Sequence, residues 1–365
     1  MMKSIQLCTA FRLVAVCSLF LINGQLQADD AKKTHGVWTD ASDSTLPADF
    51  QLQGEYVGAI KGGGKLGAQV ISLGSGKFQA VVYPAGLPGD GWEGKDKILL
   101  DGTLVDGTAL LEPASGNKKY LAASPTEFSA TRSFPPEGQR EYTANISGKT
   151  MTGRTDDAKT FELKKVSRKS DSIGQKPPKG AVVLFDGTNT DQWNGGRLDG
   201  TTKLLNTDGH DIVTKQKFNN YTMHIEFMLP YRPDARGQGR GNSGFYQVDH
   251  YEVQILDSFG LAGLNNECGG IYSKAAPKLN MCLPPLTWQT YDVDFTNAVV
   301  NPQSKKVKDA TITVKLNGVV IHDSLAIKGK TGGSRSEPIG TPGPIKLQGH
   351  GNPLQFRNIW IAEKK

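Results

Sequence analysis

The feature that most limits the fold of this chain is a period of two in its apolar residues. Within residues 221–229, every second position is apolar: Tyr221, Met223, Ile225, Phe227 and Leu229. Side chains alternate faces along a β-strand, so this pattern predicts a strand with one apolar face. Similar runs recur along the chain, no stretch has a convincing helical period, and the 43 glycines supply frequent turns. The sequence therefore predicts an all-β protein.

The N-terminus has the composition of a signal peptide. Lys3 and Arg12 supply positive charge, the apolar run 13–22 is too short to span a bilayer comfortably, and Ala28 offers a cleavage site. We expect residues 1–28 to be removed on export to the periplasm or the extracellular space, which leaves no membrane span. An uncleaved membrane anchor is the alternative.

Charge and composition exclude a nucleic-acid partner. The full chain has a net charge of +6, and residues 1–28 carry two cations and no acids, so the mature chain has +4. Acidic and basic residues are interspersed, and nothing resembles the basic face that binds phosphate backbones.

Turn signals and composition divide the chain. After a polar, flexible lead at 29–47, residues 48–167 alternate between strand-like runs and Asp-Gly turns. They predict a small antiparallel β accessory domain, either a meander or an open barrel. Residues 168–180 have the Ser, Pro, Gly and charge content of a linker. Residues 181–365 predict a jelly-roll β-sandwich of about a dozen strands.

Two cysteines remain after the predicted cleavage, because Cys8 and Cys17 lie in the signal peptide. Export would permit a disulfide between Cys268 and Cys282, and two buried free thiols are the other interpretation. Two cysteines without a CxxC motif do not make a zinc site.

A polar site is predicted around Asn242-Ser243-Gly244 and the strand that follows it. On that strand Glu252 and Gln254 share the face opposite Tyr251, Val253 and Ile255. A carboxylate and a carboxamide then lie side by side, with a glycine nearby where a ligand could approach the backbone. The preceding loop, 232–241, is basic and Gly-rich, typical of either a mobile lid or a solvated loop.

The order of several motifs resembles a known family. The motifs are Leu184-Phe-Asp-Gly with Trp193, Asn242-Ser-Gly, residues 251–257, Gly270-Ile-Tyr272, Trp288, residues 313–318, residues 343–350 and Phe356-Arg-Asn-Ile-Trp360. Together they resemble the 3-keto-disaccharide hydrolase domain, long catalogued as a domain of unknown function, over residues 180–363. The resemblance implies a concanavalin- or laminin-G-like jelly roll, export, and action on oxidised saccharides. Family members often have Gln-Asp-His where this chain has Gln348-Gly349-His350.

Such a substrate defines the groups that the site needs. A ketone at carbon 3 acidifies the hydrogen at carbon 2, so a base can form an enolate that expels the group at carbon 1. That chemistry needs a base, a stabiliser for the enolate oxygen and a proton donor. We assign Glu252 as base or acid, and His350 as the second proton carrier. Substrate contacts are predicted for Asn242, Gln254, Asp257, Tyr272, Trp288, Gln348 and Arg357.

Other readings of these residues stay open. Arg357 could stabilise the enolate or pair with a carboxylate, and Glu252 with Asp257 could form a two-carboxylate glycosidase pair. A divalent metal held by Glu252, His350 and an aspartate is conceivable, although no ligand spacing supports it. The same fold could also serve as a carbohydrate-binding module or a structural cell-surface protein. An enzyme should bring Glu252 and His350 within about one sugar ring in a concave pocket.

Overall fold

The computed structural model describes residues 36–365, which form one compact unit. Within them, helical structure is confined to one short α-helix, α1 (Ala48–Leu52), and one 3₁₀ turn, Gly237–Gly239. The prediction of an all-β protein is confirmed. None of the helices in this part of the chain is long and apolar enough to cross a membrane. The predicted signal peptide and the start of the lead lie outside the described residues.

The N-terminal half contributes twelve strands. They are β1 (Gly54–Ile60), β2 (Lys65–Gly74), β3 (Lys77–Pro84), β4 (Leu87–Pro88), β5 (Gly91–Trp92), β6 (Ile98–Val105), β7 (Thr108–Pro113), β8 (Lys119–Tyr120), β9 (Phe128–Ser129), β10 (Thr143–Ser147), β11 (Thr150–Arg154) and β12 (Thr160–Val166). Eight of them form a closed antiparallel barrel in the order β1-β12-β11-β10-β7-β6-β3-β2.

The barrel closes because β1 pairs along its length with both β2 and β12. Alternate residues of each strand point inward and fill the interior, among them Tyr56, Phe78, Leu100 and Phe161. The sequence predicted the antiparallel strands, but its expectation of a meander or open barrel was incomplete. The strand-like runs carry no signal for the pairing of the first strand with the last.

The C-terminal half contributes the remaining strands. They are β13 (Val182–Phe185), β14 (Trp193–Asn194), β15 (Arg197–Leu198), β16 (Leu205–Asn206), β17 (Ile212–Thr214), β18 (Tyr221–Met228), β19 (Ser243–Gln247), β20 (Tyr251–Ile255), β21 (Trp288–Thr296), β22 (Val299–Val300), β23 (Lys306–Lys308), β24 (Ala310–Leu316), β25 (Val319–Ile327), β26 (Lys346–Leu347) and β27 (Gln355–Glu363).

Two antiparallel sheets make the sandwich. One has five strands in the order β14-β17-β26-β19-β20, and the other has eight, in the order β15-β16-β27-β18-β21-β24-β25 with β13 beside β27. Apolar residues from the facing sides of both sheets form one core, including Ile225 and Phe227 of β18 and Val253 and Ile255 of β20. The polar residues that alternate with them therefore lie on the outer faces.

Hydrogen bonds hold the segments that precede and follow the barrel. Trp38 pairs with Tyr231 through two backbone hydrogen bonds. In the segment predicted as a linker, Arg168 bonds Glu55 of the barrel, and the Ser172 hydroxyl donates to Asp292 of the sandwich at 2.6 Å. The polypeptide on either side of the barrel is thus tied to both halves.

The two cysteines of the sandwich are free thiols in this structure, and both are buried. The Cys268 sulfur lies 3.3 Å from the Tyr291 hydroxyl. Burial raises the pKa of the Cys282 thiol well above its ordinary value, so that thiol stays protonated.

Candidate functional site

A buried carboxyl group lies on the outer face of the five-stranded sheet. Tyr251, Val253 and Ile255 of β20 face the core, so Glu252 and Gln254 face outward, yet Glu252 is only 3% exposed. Its Oε2 accepts a 2.8 Å hydrogen bond from the Tyr246 hydroxyl, directly opposite on β19. Burial raises the pKa of Glu252 to about 7, against the lowering effects of the Tyr246 hydrogen bond and of Lys346. A carboxyl with such a pKa can both take and give a proton near neutrality.

Gly244 makes room for this carboxyl. A Cβ at Gly244 would lie 2.5 Å from Oε1 of Glu252 and 2.6 Å from Cε2 of Tyr246, closer than real Cβ contacts. The glycine of the Asn-Ser-Gly motif is therefore required by the acid across the strand pair.

A lysine supplies positive charge beside the same tyrosine. The Lys346 ammonium lies 4.0 Å from the centre of the Tyr246 ring. The ammonium forms an ion pair with Asp249, 2.7 Å from its Oδ1, and lies 3.7 Å from Asp211 Oδ2. Burial and the charge of Glu252 raise the pKa of Tyr246, which keeps its hydroxyl protonated as a donor.

Residues 331–333 cover the carboxyl. The Glu252 amide donates to Thr331 Oγ1 at 2.9 Å, the Tyr246 hydroxyl lies 3.0 Å from the carbonyl of Gly332, and Lys346 bonds the carbonyl of Gly333. These bonds close the site to solvent, which is the source of the raised pKa.

Three side-chain amides form a hydrogen-bonded group that includes Gln254, the next residue after Glu252 on the outer face of β20. Gln254 Nε2 and Asn242 Nδ2 both donate to Gln238 Oε1, at 3.0 and 3.2 Å. Asn242 Oδ1 and Gln254 Oε1 are buried and have no hydrogen-bond partner among residues 36–365. Two unpaired acceptors beside a buried acid can bind hydroxyl donors.

The structure separates the residues of the Gln-Gly-His motif. Gln348 joins the site, since its Nε2 lies 3.4 Å from the Tyr246 hydroxyl and its backbone amide donates to Gly244. His350 is exposed, and its imidazole has no hydrogen bond or ion pair with any described residue, so it is not bonded directly to Glu252. Gly349 packs against the backbone of His210 and donates to Asp211, where a Cβ would clash at 2.2 Å. No aspartate side chain fits there.

Two of the predicted substrate contacts lie on the eight-stranded sheet instead. The Arg357 guanidinium lies 3.9 Å from the ring centre of Trp288, and its Nε bonds Glu226 Oε2 at 2.6 Å. Arg357 therefore pairs with a carboxylate, one of the two roles considered from the sequence. Burial raises the pKa of Glu226, but the imidazole of His224 at 3.6 Å and hydrogen bonds from Asn358, Gly174 and Arg357 outweigh burial and lower it to about 2.

The two remaining predicted residues, Asp257 and Tyr272, have different hydrogen-bond partners. Asp257 is 2% exposed and forms an ion pair with Arg240 at 2.6 Å, and its Oδ1 accepts from the Phe259 amide. The Asp257 carboxylate is thus committed to Arg240 and to a backbone amide. Tyr272 is half-buried, and its amide donates to the backbone carbonyl of Glu252 at 3.1 Å.

No group of three or more His, Cys, Asp or Glu side chains in residues 36–365 is placed to hold a metal ion. Two large clefts of this part of the chain have linings that do not include Glu252. One, of about 710 Å³, is on the barrel; the other, of about 780 Å³, lies between residues 171–178 and the eight-stranded sheet.

Comparisons with known proteins place the sandwich in a family. Residues 180–362 match the 3-keto-alpha-glucoside-1,2-lyase-like domain, which is half of the chain. The chain belongs to this family. The resemblance inferred from the motifs is confirmed, and the family match begins only after the last barrel strand, β12, has ended. A search of curated proteins finds no match.

Solved structures of similar proteins come from Parabacteroides distasonis, each named as a presumed glycosyl hydrolase. One is 34% identical, with 51% of this chain and 85% of that chain covered and a TM-score of 0.47. A second is 20% identical, with 51% of this chain and 95% of that chain covered and a TM-score of 0.38.

Tyr246, Lys346 and Gln238 are site residues that the sequence did not predict. Period-two alternation could have found the first two, because Tyr246 follows Gly244 by two positions and Lys346 precedes Gln348 by two. Gln238 lies in the 3₁₀ turn Gly237–Gly239 of the loop between β18 and β19, and no pattern marks it.

Proposed function

We propose that this protein cleaves 3-keto-glycosides by eliminating the group at carbon 1, with Glu252 as the base. The observation that carries the proposal is the buried carboxyl of Glu252, whose pKa of about 7 suits proton transfer at neutral pH, bonded to a tyrosine that stays protonated. Membership of a family named for a 1,2-lyase activity on 3-keto-glucosides supports the substrate class. Export from the cytoplasm belongs to the same proposal.

The reaction begins with proton transfer to Glu252. The carboxylate takes the proton from carbon 2, and the electrons of that C–H bond form a double bond between carbons 2 and 3 while the ketone oxygen becomes negative. Re-formation of the ketone then moves electrons into a bond between carbons 1 and 2, which breaks the bond from carbon 1 to the glycosidic oxygen. The departing oxygen takes a proton, and addition of water to the enone yields the 3-keto sugar.

Tyr246 and Lys346 are the groups that we assign to the enolate oxygen. While Glu252 is ionised, the Tyr246 hydroxyl donates to it. When Glu252 accepts the substrate proton, that hydroxyl becomes available to donate to the developing oxyanion. The Lys346 ammonium beside the Tyr246 ring adds positive charge. A donor and a cation already in place stabilise charge in a closed site more strongly than in water.

Movement of residues 331–333 is part of the proposed elimination. Thr331, Gly332 and Gly333 seal the carboxyl, so they must move for a sugar to enter, and their return would exclude water from the enolate. Gly332 and Gly333 have no side chains, so movement of this segment breaks few side-chain contacts.

The test is release of reducing sugar from a 3-keto-disaccharide by the mature chain, with and without a chelator, beside the same disaccharide lacking the ketone. We expect turnover of the keto sugar alone, because without the ketone the hydrogen at carbon 2 is not acidic. Glu252→Gln should lower kcat by at least about a hundredfold. His350→Ala measures whether that residue carries a proton, and the chelator arm measures any metal requirement.

The matched control is Glu226→Gln, which changes another buried carboxylate, on the opposite sheet. It should keep turnover. Equal cleavage of both disaccharides would replace the proposal with a glycosidase. Sugar binding without turnover, unchanged in Glu252→Gln, would replace it with a binding module.

A further inference from the structure

One glutamine of the 3₁₀ turn Gly237–Gly239 accepts hydrogen bonds from the two side-chain amides whose oxygens have no partner among the described residues. Gln238, in the loop between β18 and β19, accepts hydrogen bonds from Asn242 Nδ2 and Gln254 Nε2 through its single Oε1. Its own Nε2 donates to the backbone carbonyl of Asn266 at 2.8 Å. Because that carbonyl can only accept, the nitrogen end of Gln238 is fixed, and its oxygen must face the other two amides.

This arrangement decides which ends of Asn242 and Gln254 are free. Both turn their nitrogens toward Gln238, so Asn242 Oδ1 and Gln254 Oε1 point elsewhere, buried and without a partner among the described residues. The two side chains are 3% and 1% exposed. A buried acceptor that lacks a donor costs about 1–3 kcal/mol. Two such acceptors next to Glu252 form a subsite for hydroxyl donors, which a sugar supplies.

The barrel holds the loop that carries Gln238. On one side of Gln238, Arg236 Nη2 donates to the carbonyl of Leu73 at 2.8 Å, and its guanidinium lies 5.4 Å from the Phe128 ring. On the other side, Arg240 Nη1 donates to the carbonyl of Ser72 at 3.2 Å. Both carbonyls belong to β2, so the loop is held to the barrel on both sides of Gln238.

We propose that Gln238 is a positioning residue that orients Asn242 and Gln254 to accept hydrogen bonds from two hydroxyl groups of the sugar, and that the barrel sets sugar affinity by holding Gln238 in place. This inference rests on the proposed function for the identity of the ligand. It gives the barrel a part in recognition, where the sequence indicated only an accessory domain.

The experiment measures binding of a 3-keto-disaccharide by calorimetry in the full mature chain carrying Glu252→Gln, where turnover is off. Into that background go Gln238→Met, which keeps the side-chain length but removes the acceptor, and Gln238→Glu, which keeps an acceptor oxygen. The matched control is Gln303→Met, on an exposed loop of the sandwich. Deoxy analogues that lack single hydroxyl groups of the sugar are titrated beside the parent sugar.

We expect Gln238→Met to weaken binding about tenfold and Gln303→Met to have no effect. Gln238→Glu keeps the acceptor for Asn242 and Gln254 but loses the donor to the Asn266 carbonyl, so its affinity should fall between those of the parent and Gln238→Met. The deoxy analogues separate positioning from stabilisation of the fold, because a residue that only stabilises the fold would not change the affinity lost on removing one sugar hydroxyl. With Gln238 present, loss of a bound hydroxyl should cost about tenfold, and in Gln238→Met that penalty should shrink to about twofold. Arg236→Met should reproduce the effect of Gln238→Met through the barrel.

Failure of this inference differs from failure of the proposed function. Unchanged affinity in Gln238→Met, or a deoxy penalty that persists in full, overturns the inference even if the wild-type chain turns over the keto sugar. Absence of turnover in the wild-type chain, with sugar binding that still depends on Gln238, overturns the proposed elimination and leaves the positioning role supported.

Discussion

Tyr246 and Glu252 face each other across the β19–β20 pair, and the tyrosine hydroxyl donates a 2.8 Å hydrogen bond to the carboxylate. The partner strands place them opposite one another, the glycine at 244 makes room for them, and residues 331–333 seal them from solvent. A proton-transfer group is thereby kept at a pKa near neutrality by burial, not by a second acid. The protonation and the position of Glu252 can therefore be tested through pH and through Gly244.

The first prediction concerns pH. The pKa of Glu252 rises from an ordinary value of 4.5 to about 7 in the folded protein. Between these values the folded state binds more protons than the unfolded state, so the free energy of unfolding falls as pH rises through this window and is level above it. The loss from this group is about 3 kcal/mol. Because a base must be ionised, kcat/KM should instead rise with pH through about 7.

Urea unfolding at pH 5 and pH 8 measures the stability part, with Glu252→Gln as the comparison. The difference between the two proteins isolates Glu252 from other groups that titrate in this range, such as His224. Burial acts to lower the pKa of His224, but the hydrogen bond to Asp292 and the nearby carboxylate of Glu226 raise it. Equal pH dependence of unfolding in the two proteins would contradict the raised pKa.

The second prediction concerns Gly244. In Gly244→Ala the new Cβ would overlap Oε1 of Glu252 and the Tyr246 ring, so both side chains must shift. We expect turnover to fall by at least about tenfold and the free energy of unfolding by about 1–3 kcal/mol. Steady-state kinetics and urea unfolding provide the two measurements.

Gly200→Ala is the control, because a Cβ there meets no atom within 4 Å. It should resemble the wild-type protein in both measurements. Wild-type kinetics in Gly244→Ala would show that the position of the carboxyl over this glycine does not matter for the reaction.

Site residues that depend on local strand alternation could be predicted from the sequence, and those that depend on long-range contacts could not. Glu252 and Gln254 could be assigned to one face because strand alternation is a local property. Their pairing with Tyr246 could not, because the turn at Val248-Asp249 adopts positive φ at both residues without the Asn-Gly signal that marked the hairpin at Asn317-Gly318. Gln238 was out of reach, since its loop is held by the barrel carbonyl of Leu73, which lies 163 residues from Arg236.

Alternation also cannot say to which sheet a strand belongs. Trp288 and Arg357 were grouped with Glu252 because all three occupy family motifs, but β21 and β27 lie in the eight-stranded sheet, and β20 lies in the other. The fold class was predictable from the period of two alone. The division of strands between sheets depends on long-range pairing, which no short segment encodes.

The last prediction separates Arg357 from the site. Arg357 bonds Glu226 and covers Trp288, so Arg357→Met leaves a buried carboxylate with one donor fewer. The arginine side chain is 37% exposed, so screening reduces the loss, and we expect the free energy of unfolding to fall by about 1–2 kcal/mol. KM should not change, because the eight-stranded sheet turns this residue away from Glu252. Arg357→Lys keeps the charge and should lose less stability. A several-fold rise in KM at unchanged stability would instead return Arg357 to the substrate-binding role that the sequence indicated.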